Sequence, residues 1–258
     1  MAQLPADIPF DTWLDYLFGG PVGPSGFRES DAWWDEQADP VLAVDYLTRL
    51  FESPEVLLGR YPHDQIDRGL WFLASESGHL APLLSSPVPW EARRRGLLAI
   101  GSMYERLFAR VCTNHLGHLD RGPEPPDPLN SVCYMWWDLF PTWGGLGGEQ
   151  TQRAATWGQS RPARRRAQHR ARAEGRADIG AVETALYSVD EAILHVMAQT
   201  LRLESEPCRE GALHGLGHWH LSYPDRTAAI IEAWLSRQPR ISPELRRYAM
   251  NARAGCVL

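Results

Sequence analysis

The sequence predicts an all-α fold, and three observations carry the prediction. Apolar residues recur at spacings of three and four along most of the 258 residues. No run alternates apolar and polar residues over the length of a strand. Ser-Pro and Asp-Pro pairs stand ahead of several apolar periods, where a proline in the first helical turn loses nothing by lacking an N–H.

Taken in order, Phe10, Trp13, Leu14, Leu17 and Phe18 mark a short amphipathic helix that the Gly/Pro-rich residues 19–26 end. Asp39-Pro40 starts the next, with Leu42, Tyr46, Leu47, Leu50 and Phe51 as its buried face, and Ser53-Pro54 repeats the start signal. Tyr61-Pro62-His63-Asp64 opens a helix carrying Ile66, Leu70 and Leu73. Beyond Pro87 and Pro89 lies the longest pattern: Leu97, Leu98, Gly101, Tyr104, Phe108, Val111, Cys112 and His115. Four prolines make 119–129 a loop, after which Asn130 reads as the cap of an aromatic helix over 132–140. The period resumes with Leu186, Val189, Ile193, Leu194, Met197 and Leu201. Ser205 caps a further helix with Pro207 in its first turn. Past Tyr223-Pro224-Asp225 come Ala229, Ile230, Ala233 and Trp234. Ser242-Pro243-Glu244 opens the last helix with a cap, a proline and an acid at the positive end of the dipole.

Residues 1–143 and 178–258 read as N- and C-terminal helical parts that pack as one domain. Between them, 144–177 has no hydrophobic period and consists largely of Gly, Ala, Arg and Gln. Such a segment cannot bury enough apolar area to offset about 1–2 kcal/mol of backbone entropy per residue, so it reads as a disordered connector. All 26 basic residues are arginine, which points to a GC-rich, bacterial coding sequence. The net charge of −6 is unevenly spread: residues 153–176 hold eight of those arginines and a single acid, Glu174.

Four widely spaced cysteines without a CxxC pair, no basic-then-apolar leader and no bilayer-length apolar run together predict a soluble, cytoplasmic protein. With no lysine there is no phosphate-binding GxxxxGK motif, and no GxSxG elbow accompanies a triad. Gly144-Gly145-Leu146-Gly147-Gly148 lacks the strand–turn–helix context of a phosphate cradle. No cofactor is expected.

The run Cys208-Arg209-Glu210-Gly211-Ala212-Leu213-His214-Gly215-Leu216-Gly217-His218 reads as the first helix of a hairpin, its small residues letting the second helix of that hairpin pack close. Arg68-Gly69-Leu70, Arg95-Gly96-Leu97 and Glu210-Gly211-Ala212 echo one another, each placing Gly early in a helix after a charge. With the Pro224-Asp225 turn and the apolar Ile230, Ile231 and Trp234, residues 207–237 resemble a HEAT-like helical repeat. That resemblance implies an irregular HEAT-like stack of antiparallel helices, and a family of curved solenoids that mostly bind macromolecules.

The leading functional expectation is a non-catalytic interaction protein with an acidic, aromatic-rich helical surface for a protein partner. Trp33, Trp34, Trp136 and Trp137 are the candidate contacts, since Trp is enriched in binding hot spots. The alternative is a metal-dependent enzyme built on His214 and His218, which share a helix face at ligand spacing. Gly215 stands where an HExxH protease needs its Glu, and a third ligand would come from elsewhere, His195 or Glu210 being candidates. A further alternative is nucleic-acid binding through Arg161–Arg176, which is not favoured because Trp157 is the one aromatic of the Arg-rich run 153–176. No membrane partner is expected. His115 and His118 read as helix-end cations, and His63 and His79 as surface residues. Asp31, Asp35 and Glu36 around Trp33-Trp34 could suggest a sugar-cleaving pair, but a solvated helix edge accounts for them better.

Overall fold

The computed structural model describes residues 8–19, 39–74, 79–84, 87–140, 179–237 and 241–257, and among these the chain is helical with no strand. Trp33 and Trp34, the acids beside them, and the whole connector with its Gly and Arg runs lie outside the described residues.

Helix α1 (Phe10–Leu14) continues as a wider π turn over Asp15–Gly19 and buries Trp13, Leu14, Leu17 and Phe18. Helix α2 (Pro40–Glu52) starts where Asp39 caps it, its carboxylate accepting the Val41 N–H at 3.0 Å. Tyr46, Leu47, Leu50 and Phe51 are buried as expected, while Leu42 is half-buried. Ser53-Pro54 yields only one 3₁₀ turn, Pro54–Val56. Helix α3 (His63–Ala74), the short α4 (Ala81–Leu84) and α5 (Trp90–Met103) follow, α5 extending through a π segment, Tyr104–Phe108, to Val111.

The chain departs from the expected pattern in two places. The helix stops at Val111, because Cys112 turns extended with ψ 126°, so His115 and His118 are not at a helix end. They sit in a loop closed by a backbone bridge between Leu116 and Arg121, with His118 in a 3₁₀ turn, Gly117–Leu119. Helix α6 (Pro128–Leu139) begins before the position predicted from Asn130. Asp127 is its cap, accepting the Leu129 N–H at 2.9 Å, and Asn130 returns the favour by accepting the Asp127 N–H at 3.0 Å. Asn130 is thus the reciprocal half of a capping box.

The C-terminal part comprises α7 (Ile179–Thr200), α8 (Glu206–Trp219), α9 (Pro224–Arg237) and α10 (Pro243–Arg253). Ser205 and Ser242 cap α8 and α10 as expected, accepting the N–H groups of Cys208 and Leu245 at 3.4 and 3.3 Å. Helices α8 and α9 follow one another across a short turn, but the small residues of α8 face α6 and Val257 rather than α9, which corrects the expectation that they admit the hairpin's second helix. A single cluster of buried residues extends from Ile8 to Val257 and joins helices from both sides of the connector.

Helix α8 is the centre of the C-terminal packing. Every residue in it except Glu206 and His218 is buried, and it touches α6, α7, α9 and α10, most extensively α6. Glycine makes the α6 contact possible: a Cβ on Gly211 would stand 2.4 Å from the Cys133 carbonyl oxygen, and one on Gly215 2.6 Å from the Trp137 Cβ. The echoing glycines do the same elsewhere. A Cβ on Gly69 would meet the Phe18 ring at 2.1 Å, and one on Gly96 the Leu83 side chain at 2.5 Å. The shared Gly marks a close helix crossing in all three places.

Trp136 and Trp137 are fully buried at this crossing, Trp137 stacked on Tyr104 at 5.9 Å and Trp136 edge-on to Phe51 at 6.0 Å. Core packing, not contact with a partner, is what these two tryptophans do. No helix among the described residues is long and apolar enough to cross a membrane.

Candidate metal centre

The α6–α8 crossing that the glycines permit also sets polar groups of the two helices side by side. On α8, Glu210, His214 and His218 follow one another at intervals of four and line a single stripe. On α6, Tyr134 and Asp138 are likewise four apart. The stripes meet. His214 Nε2 lies 3.1 Å from His218 Nε2, and His218 Nε2 lies 3.5 Å from Asp138 Oδ1. One ligand atom from each of Asp138, His214 and His218 falls within 4.8 Å of the other two.

Two atoms each about 2.1 Å from a common ion stand about 3–3.4 Å apart, depending on the coordination angle. The His214–His218 contact at 3.1 Å falls at that spacing, and the His218–Asp138 contact at 3.5 Å lies just beyond it. Two imidazoles facing each other through the same ring atom have at most one hydrogen between them when neutral. Three converging lone-pair atoms therefore have more acceptor capacity than protons to fill it, which a cation would satisfy.

Burial is graded across the cluster. His214 is 3 % exposed, whereas the His218 and Asp138 side chains retain 24 % and 34 % of their surface. The convergence point thus has protein behind it and solvent in front. Burial, reinforced by the charges of His218 and His118, depresses the His214 pKa to about 3. A neutral imidazole is the form a metal takes.

Behind His214 the polar chain continues. Its Nδ1 is 2.8 Å from the Tyr248 hydroxyl, which is 3.0 Å from the Tyr134 hydroxyl. Burial raises the Tyr248 pKa far above the ordinary phenol value, so the group stays protonated. Tyr248 also stacks on His118 at 4.0 Å. His118 in turn gives its Nδ1 to Glu210 at 2.5 Å, and the same carboxylate accepts the N–H groups of Gly117 and His118 at 2.8 and 2.9 Å. Glu210, 1 % exposed, is therefore committed to holding the 117–119 turn against α8.

The pair read from the sequence, His214 and His218, is brought together; the suggested third ligands are not. Glu210 is occupied by the turn, and His195 is exposed on α7, 3.4 Å from the Gln199 amide. Asp138 takes that place. Its signal is that it stands directly after Trp136-Trp137 as the one charged residue of its helix. Nothing in the sequence ties Tyr248 to the histidines.

The remaining histidines have other duties. His63 bonds Asp127 at 2.6 Å and His220 bonds Thr227 at 3.3 Å. His79, expected on the surface, is 3 % exposed and packs on the Phe72 ring at 4.8 Å. Cys208 is buried against the Tyr104 carbonyl, and all four cysteines are free thiols. No protein-family model matches the chain, and neither does any curated protein or solved structure.

Proposed function

We propose that the protein is a metal-dependent enzyme whose Asp138, His214 and His218 hold one divalent transition-metal ion. The observation that carries the reading is the convergence of two Nε2 atoms and one carboxylate oxygen at the solvent edge of the α6–α8 crossing. A two-nitrogen, one-oxygen set suits zinc, iron, manganese or cobalt better than calcium or magnesium, which prefer oxygen alone. Structural zinc sites are closed by four protein ligands, whereas three ligands with an open face are the pattern of catalytic sites. An ion so held acts as a Lewis acid and lowers the pKa of bound water, which makes water-dependent bond cleavage the reaction class.

The chain's own residues have separable parts in this reading. His214, neutral and buried, anchors the ion from the protein side. His218 and Asp138, half-exposed, complete the set where substrate approaches. The HExxH mechanism has no place here, as Gly215 is packed against Trp137 and carries no base. The expected interaction surface, by contrast, loses Trp136 and Trp137 to the core.

The test is metal titration of the chelator-stripped protein with zinc and manganese, followed by elemental analysis after gel filtration. One equivalent per chain is expected, lost in His214→Ala and His218→Ala and weakened at least roughly tenfold in Asp138→Asn. A wild-type chain that retains no metal, or variants that retain it equally, would contradict the proposal.

A further inference from the structure

We infer that Tyr248 is the positioning residue of this centre: its hydroxyl holds the hydrogen of His214 on Nδ1 and so turns the Nε2 lone pair toward the ion. The inference rests on the metal reading above and adds to it the residue that prepares the ligand.

Two anchors fix the Tyr248 hydroxyl. Helix α10 is tied to the first turn of α8, where the Glu206 carboxylate accepts the Ser242 N–H at 3.1 Å and the Ser242 hydroxyl at 3.0 Å. The Tyr248 ring is also clamped face-on by His118, itself held by Glu210 one turn before His214. The result is a 4 % exposed side chain whose oxygen lies 2.8 Å from Nδ1.

Hydrogens can run along this chain in two directions. In one, His214 Nδ1–H donates to Tyr248, whose hydroxyl donates to Tyr134. In the other, Tyr134 donates to Tyr248 and Tyr248 to Nδ1, leaving the hydrogen on Nε2, where it blocks the ligand position. Asp138 decides between them. Its carboxylate beside His218 Nε2 favours a hydrogen on that nitrogen, which makes His214 Nε2 the acceptor across the 3.1 Å contact and sends its own hydrogen to Nδ1. In the metal-free protein His214 thus already holds the ligand tautomer, and His218 alone has to move its hydrogen from Nε2 to Nδ1 when an ion binds. Ligating histidines commonly have such a partner on the second nitrogen, and its loss typically weakens metal binding about 10–100-fold.

The experiment pairs zinc titration of wild type, Tyr248→Phe and His214→Ala with nitrogen-15 NMR of the imidazoles in the metal-free wild type and in metal-free Tyr248→Phe, where the Nδ1-protonated form of His214 should lose population. Expected are a Kd raised about 10–100-fold in Tyr248→Phe at unchanged stoichiometry, and a His214 spectrum with Nδ1 protonated and Nε2 bare. A merely structural role for the hydroxyl would not move the tautomer. Equal zinc affinity in wild type and Tyr248→Phe, or an Nε2-protonated His214, would overturn the inference while leaving the metal proposal standing. If Tyr248→Phe does not fold, the wild-type His214 Nδ1–H proton signal decides: a downfield, exchange-protected signal marks donation to the Tyr248 hydroxyl, and a rapidly exchanging one overturns the inference. A wild type without zinc affinity would defeat the metal proposal instead, and with it this one.

Discussion

His79 and Asp67 show one physical cause acting with opposite signs. Burial against Phe72 disfavours the charged imidazole and lowers the His79 pKa to about 4. Burial also disfavours the charged carboxylate and raises the Asp67 pKa to about 6, despite hydrogen bonds from Trp71 and Val132 and the charge of Arg68, which pull the other way. An unfolded histidine takes up its proton near pH 6.5, so below that value the unfolded chain binds a proton that folded His79 refuses until about pH 4. Stability from this residue therefore falls as pH drops through that window, by up to about 1.4 kcal/mol per pH unit. Folded Asp67 keeps its proton until about pH 6, while the unfolded chain releases it near 3.9, so its contribution falls as pH rises between those values. The two contributions largely offset each other in the wild type, so urea midpoints measured from pH 7 down to 4 should rise toward acid in His79→Leu and fall toward acid in Asp67→Asn. Unchanged slopes would show that neither group is buried as described. Sequence alone placed His79 on the surface, since it stands in the turn before α4 and the Phe72 ring it packs on belongs to the preceding helix α3.

The elements are held at their crossings by what glycine leaves out. Replacing Gly211 by Ala raises intrinsic helix propensity by about 1 kcal/mol, yet the new methyl would stand 2.4 Å from the Cys133 carbonyl, which a backbone cannot yield cheaply. The net effect expected is a loss of roughly 1–3 kcal/mol, the usual range for an overfilled contact. Gly101 is the control: the nearest atom to its would-be Cβ is Val196 Cγ1 at 3.9 Å, so Gly101→Ala should stabilise by roughly 0.5–1 kcal/mol. Chemical denaturation of both variants checks the pair, and similar effects at the two sites would refute the close-crossing explanation. At this scale the sequence was largely legible. Asp39, Ser205 and Ser242 announce their helices because capping is a local bond between neighbours. Asn130 misled because the same residue type serves equally as a cap and as the reciprocal half of a box capped by Asp127. The helical period through His115 overran because Cys112 turns extended at a point the apolar spacing does not mark.

Across the whole molecule, the proposed ion would join α6 to α8 by bonds that exist only when both are in place. Binding to the folded state alone stabilises by mass action, about 2.7 kcal/mol at a hundredfold excess of free metal over Kd. Thermal melts should shift upward with added zinc in the wild type and stay unmoved in His218→Ala; a shift common to both would mean metal binding elsewhere. The site was half legible in sequence. His214 and His218 share one helix face and declare themselves by spacing. Asp138 belongs to another helix, and only the packing of Gly211 and Gly215 against α6 brings it within reach.

The most direct measurement is anomalous diffraction from crystals of zinc-loaded protein, collected above and below the zinc edge. A single strong peak between Asp138 Oδ1, His214 Nε2 and His218 Nε2, at bonding distance from all three, is the predicted result. Density without a peak, with the two imidazoles hydrogen-bonded to each other and Asp138 turned to solvent, would contradict it.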